Sequence, residues 1–212
     1  MQETENFKRI YCYSPVEKDD VISIDENSGS AKIHHLNILG GGIHFILIEE
    51  SHSDIVGKLF KRESQCTRNA DGIILYDGID GKTLILCELK SSCGGVFQSA
   101  YQQAFSSYLK TCMLLSLCEG FDINNYNVHF LFTALKGVEL DMIRNELEEI
   151  DDRDFLQESE LCLLKGENIR FCMNSVPRNI SFLHSDFINK EVECRLLISD
   201  NDTIDFDINS LR

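Results

Sequence analysis

Two runs of strand-forming residues, GIILY (72–76) and TLILCEL (83–89), are separated by the steps Asp77-Gly78 and Asp80-Gly81. Asp-Gly pairs accept the left-handed backbone that tight turns require, so this pattern predicts a β-hairpin. The turn-like SSCGG follows. Residues 96–118 (VFQSAYQQAFSSYLKTCMLLSLC) then contain neither proline nor glycine and repeat apolar residues every three or four positions, which predicts a long helix. NVHFLFTAL (127–135) reads as a further strand. A hairpin, a helix and another strand in succession lead to one α/β domain with a mixed central sheet flanked by helices.

The flanking segments are less strongly patterned. Residues 16–31 (VEKDDVISIDENSGSA) are acidic and end in Ser-Gly-Ser, so 1–31 reads as an acidic N-terminal arm, looped or weakly held. GGGIHFILIEES offers a glycine turn followed by a short apolar run, either a strand or the last turns of a helix. Gly40, Gly41 and Gly42 lack the Gly-Lys-Ser/Thr ending of a phosphate-binding loop. SDIVGKLFKRE (53–63) places Ile55, Leu59 and Phe60 on one face of a short helix, and DMIRNELEEIDDRDFL (141–156) reads as one solvated helix. The final stretch, 151–212, reads as a β-rich C-terminal extension, with Ser199-Asp-Asn-Asp202 as the turn of a closing hairpin. Asp200, Asp202 and Asp205 lack the glycine and glutamate of a calcium loop.

A chain of 212 residues that is 43% hydrophobic and 26% charged is expected to fold as a single domain. MQETENFKRI has no apolar leader core, and no apolar run approaches the roughly 20 residues that span a bilayer. No membrane association is expected, and the cytoplasm is the expected compartment. The cysteine count is nine, odd and without CxxC spacing, which suits reduced thiols acting as small hydrophobes.

Within TLILCELK the side chains alternate, so Glu88 and Lys90 project on one side while Leu89 turns the other way. Asp71 stands where the preceding strand begins, and hairpin pairing brings it toward Glu88. Two carboxylates and an ammonium then converge at one edge of the sheet. Hard oxygen donors of this kind suit Mg2+ or Mn2+, and the backbone carbonyl of Leu89 adds a further ligand. A cation held by Asp71 and Glu88 would acidify a bound water and neutralise a scissile phosphate, with Lys90 orienting that water or stabilising developing charge. Asp80-Gly81-Lys82 repeats the acid-x-Lys triplet inside a glycine turn and is read as loop chemistry.

This succession, over roughly residues 45–135, resembles the core of the PD-(D/E)XK nuclease superfamily, whose fold is restriction-endonuclease-like. The resemblance implies a Mg2+-dependent deoxyribonuclease leaving 5′-phosphate ends. It further implies an acidic ligand ahead of the hairpin, Glu50 or its neighbour Glu49, and a glutamine on the long helix. Gln102 is the first choice there, beside Gln103 and Gln98. Asn69-Ala70-Asp71 departs from the pattern in lacking the proline.

The net charge of −15 argues against strong unaided binding to DNA. From Lys58 to Lys110, however, seven Lys/Arg face five Asp/Glu, so the acid is concentrated elsewhere. A protein partner, either an ATPase or a second nuclease subunit, or self-association, is the expected source of DNA binding. The analogy extends to a prokaryotic anti-phage defence or DNA-processing complex. The competing expectation is a non-catalytic interaction subunit acting through its acidic surface. His34, His35, His44 and His52 form no HxxxH or HxH pair and read as surface or hydrogen-bonded residues. Ser91 and Ser92 read as turn caps, and Tyr101, Phe105 and Tyr108 as packing.

Overall fold

The structure is a computed structural model describing residues 5, 15–26, 31–48, 68–78, 81–90, 96–175 and 185–211. Among these residues it is a mixed α/β fold built on an eight-stranded sheet. The elements are β1 (Val16–Asp25), β2 (His35–Ile48), β3 (Gly72–Gly78), β4 (Gly81–Leu89), α1 (Val96–Leu115), β5 (Tyr126–Leu135), α2 (Val138–Glu148) and α3 (Phe155–Leu164). They continue with β6 (Ile169–Cys172), α4 (Ser185–Ile188), β7 (Glu191–Ser199) and β8 (Thr203–Asp207). Strand order is β1-β2-β3-β4-β5-β7-β6, with β8 paired to β2.

The centre follows the expected pattern. β3 and β4 are antiparallel from Gly72 opposite Cys87 to Gly78 opposite Gly81. β5 runs parallel to β4 on one side and to β7 on the other. Every residue from Thr83 to Leu89 is buried, so β4 is packed on both faces, as its nearly unbroken apolar run requires. On one face Leu84, Leu86, Phe130 and Phe132 meet Tyr101, Phe105 and Tyr108 of α1. The tyrosines and phenylalanine are therefore core packing, with Tyr101 and Phe105 stacked at 6.2 Å.

Among the described residues the opposite face is covered by strands. Ile22 and Ile24 of β1, Leu36 and Ile38 of β2 and Phe206 of β8 cover Ile74, Ile85, Cys87 and Leu131. The supposed arm at 16–31 is thus a strand over Val16–Asp25. Its acids occupy the exposed positions, while Ile22 and Ile24 alternate inward and supply the burial that holds it.

The triple glycine is not a turn between elements but an irregularity inside β2. The register jumps from Asp19 opposite His44 to Asp20 opposite Gly40. Gly42 adopts φ 78 there and donates its N–H to Asp20 Oδ1 at 2.6 Å. A Cβ on Gly40 would lie 2.6 Å from the Phe45 ring, so the close packing itself demands glycine. The apolar run after it is strand.

Two further expectations are corrected. Residues 141–156 form parts of two helices, because Asp154 accepts from the Gln157 N–H at 2.9 Å and starts α3. Arg153 closes the end of the earlier helix by donating to the carbonyls of Leu147 and Ile150. The closing hairpin is absent as well: β8 pairs in parallel with β2, His35 opposite Thr203, instead of with β7. The N–H groups of His34 and His35 both reach the Asp202 carbonyl, drawing the chain across at 200–202. Residues 151–212 consequently supply three strands of the same sheet. No helix among the described residues is long and apolar enough to cross a membrane.

Candidate functional site

The hairpin register decides where the acids meet. Gly72 lies opposite Cys87, so Asp71 and Glu88 face each other one position further along. Asp71 Oδ2 accepts the Leu89 N–H at 2.6 Å, which fixes one carboxylate against the backbone of β4. Glu88 is 0% exposed, and its Oε1 is ion-paired with the Lys90 ammonium. Oε2 of Glu88 has no hydrogen-bond partner among the described residues. Lys90 is partly exposed and donates its backbone N–H to Thr133 Oγ1 of β5 at 3.0 Å. Leu89 turns into the opposite core, as the alternation requires. Asp71, Glu88 and Lys90 are therefore neighbours in space. Glu49 and Glu50 lie outside the described residues, as do Ser91, Ser92, His52 and the segment 53–63.

Burial pushes the Glu88 carboxyl up to about 8; the Asp71 charge adds to this, and the Lys90 charge and hydrogen bond oppose it. The neighbouring Cys87 thiol is also pushed upward, by burial and then by Asp71 and Glu88, which makes it inert. A buried carboxyl with one oxygen unmatched and its pKa raised, beside a second carboxylate, would be relieved by a further positive charge. Mg2+ and Mn2+ are cations that accept a couple of carboxylates and retain water. The described residues contain no group of three or more His, Cys, Asp or Glu placed to hold a metal; Asp71 and Glu88 are a pair.

Asp71 is located by α1 more than by its own strand. The Lys110 ammonium, fully buried, donates to the Arg68 carbonyl at 2.6 Å and contacts Asn69 Oδ1. Gln103 Nε2 donates to the Asn69 carbonyl at 3.1 Å, and Ser107 Oγ accepts from the Ala70 N–H at 2.7 Å. Ser99 Oγ donates to Gln103 Oε1 and accepts from Arg68 Nη1. Three consecutive residues ahead of Asp71 are thus clamped to one face of the helix. Of the expected glutamines, Gln103 joins this clamp, Gln102 is half-buried and Gln98 is exposed. Ser107 and Lys110 were not anticipated, yet Ser99, Gln103, Ser107 and Lys110 recur every three or four residues, a legible polar stripe in an apolar helix.

An unanticipated acid is Glu160 of α3. It shares with Lys90 and Thr133 a cavity of about 20 Å3, room for one water, otherwise walled by apolar side chains such as Phe97, Phe132 and Leu196. Burial pushes Glu160 up to about 7. The histidines of β2 and the residue before it are hydrogen-bonded: His34 to the Glu26 carbonyl, His35 to Asp25 at 2.8 Å and His44 to Asp19 at 2.7 Å. Comparison with protein-family models, with curated proteins and with solved structures finds no match.

Proposed function

We propose that the chain is a divalent-cation-dependent nuclease acting on DNA, with a restriction-endonuclease-like core of the PD-(D/E)XK type. The observation that carries this reading is the buried Glu88 carboxylate. It faces Asp71 across the hairpin, bears Lys90 on one oxygen and has no described hydrogen-bond partner for the other. A buried acid of this kind is costly unless something offsets its charge. Asp71 and Glu88 would hold Mg2+ or Mn2+, with the Leu89 carbonyl alongside and Glu50 and Gln102 as further candidates. The cation supplies charge neutralisation at the phosphate and acidifies a bound water. Lys90 is the counter-charge of Glu88 until a cation takes that place. Its ammonium, on the solvent side of the buried acid, then serves to hold the attacking water or a phosphate oxygen.

The acidic exterior supports a division of labour in which a partner, an ATPase or second nuclease subunit or another copy of this chain, supplies phosphate-binding charge. A place in prokaryotic anti-phage defence is consistent with that division. The test is incubation of the purified chain with plasmid and linear DNA in Mg2+ or Mn2+, with Asp71→Ala and Lys90→Ala alongside. Cation-dependent cutting that falls by about a hundredfold or more in both variants and stops on chelation is the expected result. Equal cutting by all three proteins, or none with either cation even when the products of neighbouring genes are added, would favour a non-catalytic interaction subunit.

A further inference from the structure

At the N-terminal ends of β5 and β7, on the face turned away from α1, the sheet carries a polar cluster that the proposed chemistry does not use. Val128 and Phe130 point into the helix-side core, so Asn127 and His129 point the other way. His129 lies opposite Glu193 of β7, which in turn lies opposite Arg170 of β6. Glu193 is 6% exposed and both its oxygens are bound: Oε2 by Arg170 at 2.7 and 2.8 Å, Oε1 by Arg195 at 2.6 and 2.7 Å. Arg195 also donates to the Ser210 carbonyl, tying the last turn of the chain to this floor.

Two depressions, of about 350 and about 300 Å3, lie beside this cluster and share Asn127, His129 and Leu211 in their walls. His129 is 7% exposed, and its Nδ1 has no hydrogen-bond partner among the described residues. Burial pushes His129 down to about 4, with Arg195 and Arg170 helping and Glu193 opposing. The ring is thus neutral at physiological pH and offers one donor and one acceptor. A buried, unmatched ring nitrogen at a cavity wall calls for a partner that fills it.

The two depressions differ in charge. One is lined by Arg170 and Lys190 together with Glu191 and Glu193, and both oxygens of Glu193 are already taken by Arg170 and Arg195. Asp77, Tyr76 and Ile208 line the other, supplying an acceptor and apolar surface. A ligand that is anionic at one end and carries a flat, hydrogen-bonding ring with hydroxyl or amine donors at the other matches this polarity. We propose that the double depression binds a nucleoside 5′-monophosphate group, its phosphate beside Arg170 and Lys190 and its base between Tyr76, Asn127 and His129. The same group occurs as a free nucleotide and as the 5′ end of a DNA strand. Neither source requires Asp71 or Glu88.

Calorimetric titration of the full chain with the four deoxynucleoside 5′-monophosphates, with a 5′-phosphorylated oligonucleotide and with the matching nucleosides tests the site. Arg170→Gln, His129→Leu and Asp71→Asn are measured in parallel. At least one phosphorylated probe is expected to bind, with its affinity lowered about tenfold in Arg170→Gln and in His129→Leu and unchanged in Asp71→Asn. Tight binding of mononucleotides alone identifies the free ligand; equal binding of the phosphorylated oligonucleotide identifies a strand end. Arg170 is 65% exposed, so its variant reports even where the His129 variant fails to fold. Absence of binding by every phosphorylated probe, nucleosides binding as well as nucleotides, or full affinity in Arg170→Gln would overturn the site. So would loss of nucleotide binding in Asp71→Asn. The nuclease reading stands or falls separately, on cleavage by the Asp71 and Lys90 variants.

Discussion

Glu88 concentrates the energetics of the site in one side chain. Its burial and the Asp71 charge hold the carboxyl near 8, well above an ordinary glutamate at 4.5. The folded chain therefore binds this proton more tightly than the unfolded chain does. The associated stability is fully present below about pH 4.5 and is lost as pH rises through about 8, by an amount on the order of a few kcal/mol. The melting temperature of the cation-free protein should accordingly fall between pH 5 and 9, while Glu88→Gln, neutral throughout, should stay flatter. Mg2+ or Mn2+ should restore stability most at the alkaline end, where no proton competes for the carboxylates. Parallel melting profiles for the two proteins would assign the titration to another group. Strand alternation sufficed to place Glu88 beside Lys90. Its complete burial was hidden, because alternation does not tell what covers a face, and the strand paired beside it, with Phe132 opposite Glu88, lies more than 40 residues further on.

Among the elements, the hairpin was legible from two apolar runs joined by Asp-Gly steps, and α1 from one periodicity kept over its whole length. β1 was obscured by its own charges: EKDD and the outward Asp25 made a loop of a strand whose two inward isoleucines do the packing. β8 was recognisable as a strand but not in its pairing, since a parallel partner more than 150 residues away leaves no local signature. The polar stripe of α1 was open to view but had no interpretation until residues 68–70 were seen against it. That clamp makes a prediction at the same scale. Ser107→Ala strands the Ala70 N–H and should cost about 1–3 kcal/mol, whereas Ser107→Thr keeps a hydroxyl there. If the clamp positions Asp71, Ser107→Ala and Lys110→Met should also weaken Mn2+ binding about tenfold, and should weaken it little further in an Asp71→Asn background. Lower melting temperatures with unchanged Mn2+ affinity would reduce the clamp to a structural role.

For the molecule as a whole, the side-chain placements alter the meaning of its charge. The stretch from Lys58 to Lys110 holds seven basic and five acidic residues, so the acid is concentrated elsewhere in the sequence. Lys110, however, is fully buried and spends its ammonium on Arg68 and Asn69. Lys90 is paired with Glu88, and Lys82 sits over the Tyr126 ring at 5.7 Å. Meanwhile β1 lines one edge of the sheet with exposed Glu17, Asp19, Asp20 and Asp25. Among the described residues of this stretch few cations are left to displace counterions from a duplex, so the catalytic proposal and strong unaided binding separate further. Each neutralised phosphate contributes about −0.9 to the slope of log affinity against log salt. The isolated chain should therefore bind duplex DNA weakly, with a slope no steeper than about −3, as measured by fluorescence anisotropy across a salt series. Addition of the true partner, or assembly into a higher oligomer, should steepen the slope and raise the affinity together. A slope near −6 for the isolated monomer would require a basic surface that Lys82, Lys90 and Lys110 do not provide, and would remove the physical reason for a partner.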